Sequence, residues 1–154
     1  MKKVLNNKKG FTLIELLAVI VILAILVMAA IPAVTRYLTD ARKGTFADNA
    51  RTAISAVRND VIMNGGQATV TYTLDGADST KKINDLLEKQ LTTSPFGAAY
   101  SEGKIIATLG TDGGYTFQMC LYDAKGNGFQ LESEDDIKKE NVKTSGVTSC
   151  GTGS

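Results

Sequence analysis

The sequence predicts an α+β chain in which a long N-terminal α-helix packs on a small antiparallel β-sheet. Three observations predict it. An unbroken apolar run extends from Leu16 to Ile31. Beyond it, apolar residues recur at three- and four-residue spacing as far as Val61. After Gly65-Gly66 the pattern changes to short Thr-, Val- and Tyr-rich segments separated by Gly-rich turns. At 154 residues the chain suits one domain plus an anchor.

The elements follow in order. Lys2, Lys3, Lys8 and Lys9 precede the span Phe11–Ile31, whose only polar members are Thr12 and Glu15. At 1.5 Å per residue the span is about 31 Å, enough to cross a hydrocarbon core of about 30 Å. With all four leading lysines before the span and none inside it, residues 1–10 stay cytoplasmic and everything after the helix is exported. An ionised carboxylate at the start of such a span costs about 3 kcal/mol on insertion scales, so Glu15 needs a partner or a function. Pro32 ends the apolar run; inside a helix it removes one hydrogen bond and kinks the axis. The helical pattern nevertheless continues, with Val34, Leu38, Ala41, Thr45, Ala53, Ile54, Val57 and Val61 on one face. Gly65-Gly66 is its stop, which gives one helix from about Phe11 to about Met63.

Ala68 to Leu74 alternates and reads as a strand, and Ile83 to Leu91 as a short helix. Thr92 to Gly103, with Ser94-Pro95-Phe96-Gly97, reads as a loop. Lys104–Leu109 and Tyr115–Tyr122 are strands joined by a hairpin turn at Gly110 to Gly114, and Phe129–Leu131 is a further strand after the turn Asp123 to Gly128. The expected sheet is therefore an antiparallel meander of three or four strands on the amphipathic half of the helix.

Composition narrows the chemistry. Without the leader, 13 basic face 16 acidic side chains, a balance of −3, which leaves no footprint for general nucleic-acid binding. The sequence has no histidine, so the commonest general base and metal ligand is missing, and Ser94, Ser101 and Ser133 have nothing of that kind to activate them. Glu132, Glu134, Asp135 and Asp136 form an acidic cluster, but their spacing departs from an EF-hand loop and reads as a solvated turn before Lys138-Lys139. Neither catalysis, nor a cofactor, nor a metal site is expected. Tyr72, Tyr100, Tyr115, Phe117 and Tyr122 read as core and cross-strand packing. Cys120 and Cys150 both follow the span; in an exported domain the even count reads as one disulfide, the alternative being two unrelated thiols.

Three readings compete for the N-terminus. A cleaved secretory signal needs an A-x-A-like site, and Val27-Met28-Ala29 is a poor one. A plain signal anchor accounts for the lysines and the apolar run but not for Gly10 or Glu15. Gly10-Phe11-Thr12-Leu13-Ile14-Glu15-Leu16 ahead of the run resembles the class III signal of type IV prepilins, and that explains all of them. The strong match covers roughly residues 8–35.

The resemblance implies a pilin fold with residues 1–10 as leader, 11–32 as transmembrane and polymerisation helix, and 33–154 as exported globular domain. It implies cleavage after Gly10 by a prepilin peptidase, N-methylation of Phe11, and pairing of Glu15 with the Phe11 amine of a neighbouring subunit. Such a buried pair fixes register more than it adds stability. Pro32 matches a proline of the family, whose filaments are known for local melting of the helix just before it; this chain has Ala24 where many relatives have glycine. The last twenty-odd residues resemble the disulfide-bounded C-terminal region of many pilins.

The implied partners are identical or related subunits in a helical filament, the peptidase, an inner assembly platform with ATPases, and the cytoplasmic membrane before assembly. The function expected is a structural subunit of a type IV pilus, first in the cytoplasmic membrane and then at the cell surface. Such a filament serves adhesion, motility, biofilm formation or DNA uptake. Two alternatives stay open: a pseudopilin of a type II secretion system, and a membrane-anchored binding protein that never polymerises.

Overall fold

The computed structural model describes residues 10–64, 66–75 and 81–151. Leader residues 1–9, the first glycine of the Gly65-Gly66 stop, and the terminal residues 152–154 lie outside the described residues. The chain divides into two compact units, Met1–Thr39 and Asp40–Ser154.

Helix α1 runs Leu13–Asn64, 52 residues, and passes through Pro32 without a break. In the first unit every residue of this helix up to Leu38 is exposed. Pro32 has no N–H to give the preceding turn. One turn on, the Thr35 hydroxyl donates to the carbonyl oxygens of Ile31 (3.2 Å) and Pro32 (3.0 Å).

The second unit contains the core. From Asp40 the helix acquires a buried face made of Phe46, Ala47, Ala50, Ala53, Ile54, Val57 and Val61. Its three alanines let the helix lie close to the sheet, and Phe46, Ile54 and Val57 fill the space between them. Each large side chain so buried contributes about 1.5–3 kcal/mol by area. The face differs in phase from the expected one. Val34, Leu38, Ala41 and Thr45 are exposed, whereas Phe46, Ala47 and Ala50 are fully covered.

The sheet has five strands in the order β2-β1-β3-β4-β5: β1 Thr69–Thr73, β2 Lys81–Lys82, β3 Tyr100–Leu109, β4 Tyr115–Asp123 and β5 Gly128–Ser133. Neighbours are antiparallel except β1 and β2, which are parallel in a two-residue pairing, so the expected meander of three or four strands is corrected to five, one of them parallel. Two adjacent lysines gave no strand signal of their own; a side-chain clamp holds them. Asp60 accepts hydrogen bonds from Lys81 Nζ (2.6 Å), the Tyr72 hydroxyl (2.7 Å) and Asn64 Nδ2 (2.9 Å), and Lys81 also lies over the Tyr72 ring.

Two further boundaries move. The short helix α2 covers only Ile83–Leu86; the Asn84 side chain takes the Leu91 N–H at 2.8 Å, which bends the following residues back. The expected loop Thr92–Gly103 already pairs from Tyr100, through a bulge between Tyr100 and Glu102. The inner face of the sheet places Tyr72, Ile105, Ala107, Phe117, Met119, Leu121 and Phe129 against α1. Arg58 reaches across, stacked at 4.5 Å on the Phe117 ring and ion-paired with Glu134.

Candidate processing and assembly site

The N-terminal site is built by the first turn of α1 and the residues before it. Gly10 and Phe11 precede the helix and are exposed, Phe11 at 91%. A Cβ built on Gly10 meets nothing within 4 Å, so nothing in the described residues requires glycine there. Thr12 and Glu15 form a capping box. The Thr12 N–H and hydroxyl both donate to Glu15 Oε2 at 2.8 Å, and the Glu15 N–H returns a bond to Thr12 Oγ1 at 3.3 Å. Helix starts leave backbone N–H groups without partners, and this reciprocal pair supplies two of them. Sequence reasoning singled out Glu15 but passed over Thr12, although Thr-x-x-Glu before an apolar run is the signal for such a box.

After Glu15 comes Leu16–Ile31, whose large side chains are half to three-quarters exposed. The helix is long and apolar enough there to cross a membrane. A contiguous apolar surface of this extent is not left to water by a folded chain; it is covered by lipid or by other protein. Pro32 is not part of the N-terminal cluster. It stands 17 residues beyond Glu15 on the same helix, about 25 Å along the axis.

Cys120 and Cys150 are brought together as a disulfide with Cα atoms 5.4 Å apart. The bond lies on the outer face of the sheet with Tyr122, Val147 and half-buried Leu131. Glu102 supports it by accepting from the Tyr122 hydroxyl (3.0 Å) and the Cys150 N–H (3.2 Å), and Lys104 donates to the Gly151 carbonyl at 2.8 Å.

The turn from Asp123 to Gly128 is organised by a buried carboxylate that the sequence did not single out. Asp123 accepts from the Ser94 hydroxyl (2.6 Å), the Lys125 N–H (2.9 Å), and the Asn127 N–H and side-chain amide. Burial pushes the Asp123 carboxyl up, but the bonds from Ser94, Asn127 and Lys125 outweigh it and hold it below the usual carboxylate range. Gly128 closes the turn at φ +151°, where a Cβ would sit 2.0 Å from the Leu121 carbonyl oxygen.

In the acidic segment, Asp136 accepts from Ser133, and Glu134 pairs with Arg58. Among the described residues no group of three or more His, Cys, Asp or Glu side chains is placed to hold a metal ion.

No solved structure matches the chain. Residues 5–31 match the family described as prokaryotic N-terminal methylation motif. The motif family is structural, and the matched residues take in Gly10, the Thr12–Glu15 capping box and the exposed apolar stretch to Ile31. The chain carries at its N-terminus the class III signal peptide of type IV pilins, a motif that supports a pilin-like or pseudopilin precursor and, with the apolar helix, suggests membrane anchoring.

Proposed function

We propose that this chain is a structural subunit of a type IV pilus. A prepilin peptidase cleaves it between Gly10 and Phe11, Phe11 is N-methylated, and the subunit polymerises through its N-terminal helix into a surface filament. The observation that supports this reading most directly is the uncovered Leu16–Ile31 surface with Glu15 at its head. Lipid satisfies the apolar side chains before assembly, and other copies of the helix satisfy them afterwards. A lone signal anchor has no use for the carboxylate. In a helix bundle of low dielectric a carboxylate and an ammonium are each costly alone and tolerated as a pair, which supports pairing of Glu15 with the Phe11 amine of a neighbour. The exported domains form the outer surface, and cytoplasmic ATPases at an assembly platform supply the work. The side chain of any larger residue at position 10 has room in the chain itself, so the need for glycine there belongs to the peptidase cleft.

The test is intact-mass analysis of the chain recovered from sheared cell-surface material. The expected mass starts at Phe11, about 14 Da heavier for one methyl group and about 2 Da lighter for the disulfide. A chain found only in membranes and still starting at Met1 would reduce the reading to a signal anchor. A processed chain that builds no long fibres would move it to the pseudopilin reading.

A further inference from the structure

We propose that the lipid-spanning part of the chain is Leu16–Thr35, and that Arg36 and Tyr37 dock on phospholipid headgroups at the membrane face away from the leader. The inference rests on the membrane-anchored reading and departs from the expected span Phe11–Ile31. The helix gives no reason to end the span at Ile31. Between Glu15 and Arg36 lie 20 residues, Leu16 to Thr35, without a charge. Beyond Ile31, Val34, Tyr37 and Leu38 share one side of the helix and are 53%, 76% and 46% exposed. The Thr35 hydroxyl donates to the Ile31 and Pro32 carbonyls and the Thr39 hydroxyl to the Thr35 carbonyl, so neither needs water. Arg36 is exposed, and among the described residues no carboxylate pairs with it.

Depth decides between the two spans. A hydrocarbon core about 30 Å thick has its edges about 15 Å from the midplane, and the headgroup layers reach to about 20–22 Å. Centred on Phe11–Ile31, the bilayer would hold Glu15 about 9 Å from the midplane, within hydrocarbon, and leave Tyr37 about 24 Å out, in water. Centred on Leu16–Thr35, it puts Glu15 about 16 Å and Tyr37 about 17 Å from the midplane on opposite sides, both at headgroup level. The acid then sits in a polar layer, which removes the cost of holding it in hydrocarbon. At the other edge a tyrosine suits the interface, its ring apolar and its hydroxyl wet. The Arg36 guanidinium, left without a partner in the chain, matches the oxygens of a phosphate by its planar fork. Helix side chains lean toward the N-terminus of their own helix, so Arg36 and Tyr37 reach back toward the bilayer.

The sequence has no tryptophan, so one substitution makes a lone fluorescent reporter. The experiment uses the full-length chain in vesicles of phosphatidylethanolamine and phosphatidylglycerol. The lipids carry a quencher either near the headgroup or near the end of the acyl chain. Leu26→Trp, at the midplane of the proposed span, is expected to lose more emission to the deep quencher. Tyr37→Trp is expected to lose more to the shallow quencher and to emit at longer wavelength than Leu26→Trp. Adding Arg36→Glu to Tyr37→Trp, which sets a carboxylate against the phosphates, should lower the shallow quenching and raise quenching by acrylamide in the water. Arg36→Lys, which keeps the charge, should change both less than Arg36→Glu does.

Three outcomes would overturn the proposal while Leu26→Trp remains quenched by lipid. Tyr37→Trp reached by acrylamide but by neither lipid quencher would return the membrane edge to Ile31. Stronger quenching of Tyr37→Trp by the deep label would place it in hydrocarbon. Shallow quenching unchanged by Arg36→Glu would leave no headgroup contact for Arg36. If Leu26→Trp also escapes both lipid quenchers, the membrane-anchored reading itself fails, and this inference falls with it.

Discussion

Leu16–Ile31 and Phe46–Val61 are two sixteen-residue stretches of one helix with opposite fates. The first is apolar on every side, and its large side chains stay exposed. The second is apolar on one side only and buries seven residues against the sheet. The more hydrophobic stretch is therefore the one that contributes nothing to the fold of its own chain. Hydrophobicity on all faces needs an apolar surrounding on all faces, which lipid or a bundle provides; hydrophobicity on one face needs a single sheet. The two stretches divide the work: one is left for lipid or other helices to cover, the other holds the chain together.

Substitutions can break or sharpen this division. The largest effect is expected from Gly10→Val, an all-or-none loss of cleavage that leaves the unprocessed precursor in the membrane while the exported unit folds normally. An immunoblot of membrane fractions checks it, and a cleaved, assembled variant would show the processing assignment to be wrong.

Next comes the direct contrast within the helix. Phe46→Ala should destabilise the full-length chain in detergent by about 3–5 kcal/mol, as truncations of buried aromatics do. Leu23→Ala should change the same thermal transition by no more than about 0.5 kcal/mol. Equal effects from the two would mean that the exposed stretch is covered by the chain's own fold after all.

Opening the Cys120–Cys150 bond, by Cys120→Ser with Cys150→Ser, should cost about 3–4 kcal/mol from the freed loop of the unfolded chain. Chemical denaturation with and without reductant measures it, and fibre assembly through the first stretch should be affected less than the denaturation midpoint.

The smallest effect is acid sensitivity. Lys81, ahead of Tyr72 and Asn64, holds Asp60 below the usual carboxylate range despite its burial, and Asp123 is also held low. Both remain ionised in the folded chain at pH values where the unfolded chain already takes up protons. Their stabilisation is complete above the unfolded value near pH 4 and is lost as pH falls through the lower folded values. Melting temperature should accordingly be level above about pH 5 and decline below about pH 4. Asp60→Asn should make that decline shallower, and an unchanged slope would remove Asp60 from the account.

The legibility of the sequence followed the same division. Residues 10–31 declared themselves because a bilayer-length apolar run interrupted by one acid has few physical solutions. The second stretch was legible as a helix but not in its detail. A phase extrapolated from Val34 missed Phe46, Ala47 and Ala50, because alanines weigh little in an apolar pattern and because the sheet covers nothing before Phe46. The strand Lys81–Lys82 was hidden because Asp60, 21 residues upstream, helps hold it in place. Ile83–Leu91 showed helical spacing, yet the Asn84 side chain offered its last residue a non-helical partner. Asp123 looked like one more turn residue until the Ser94 loop folded over it. Short-range pattern fails where a side chain from a distant segment makes the decisive bond.

The disulfide also changes what damage to the sheet-bearing unit means. Cys120 lies in β4 and Cys150 near the end of the described chain, so β5, the turn organised by Asp123 and two short 3-10 turns, Glu134–Asp136 and Lys139–Asn141, fall inside the closed loop. A protease that cuts anywhere between Leu121 and Ser149 releases no fragment. The two pieces stay joined through sulfur, with β5 still paired to β4, and the nick becomes visible only after reduction.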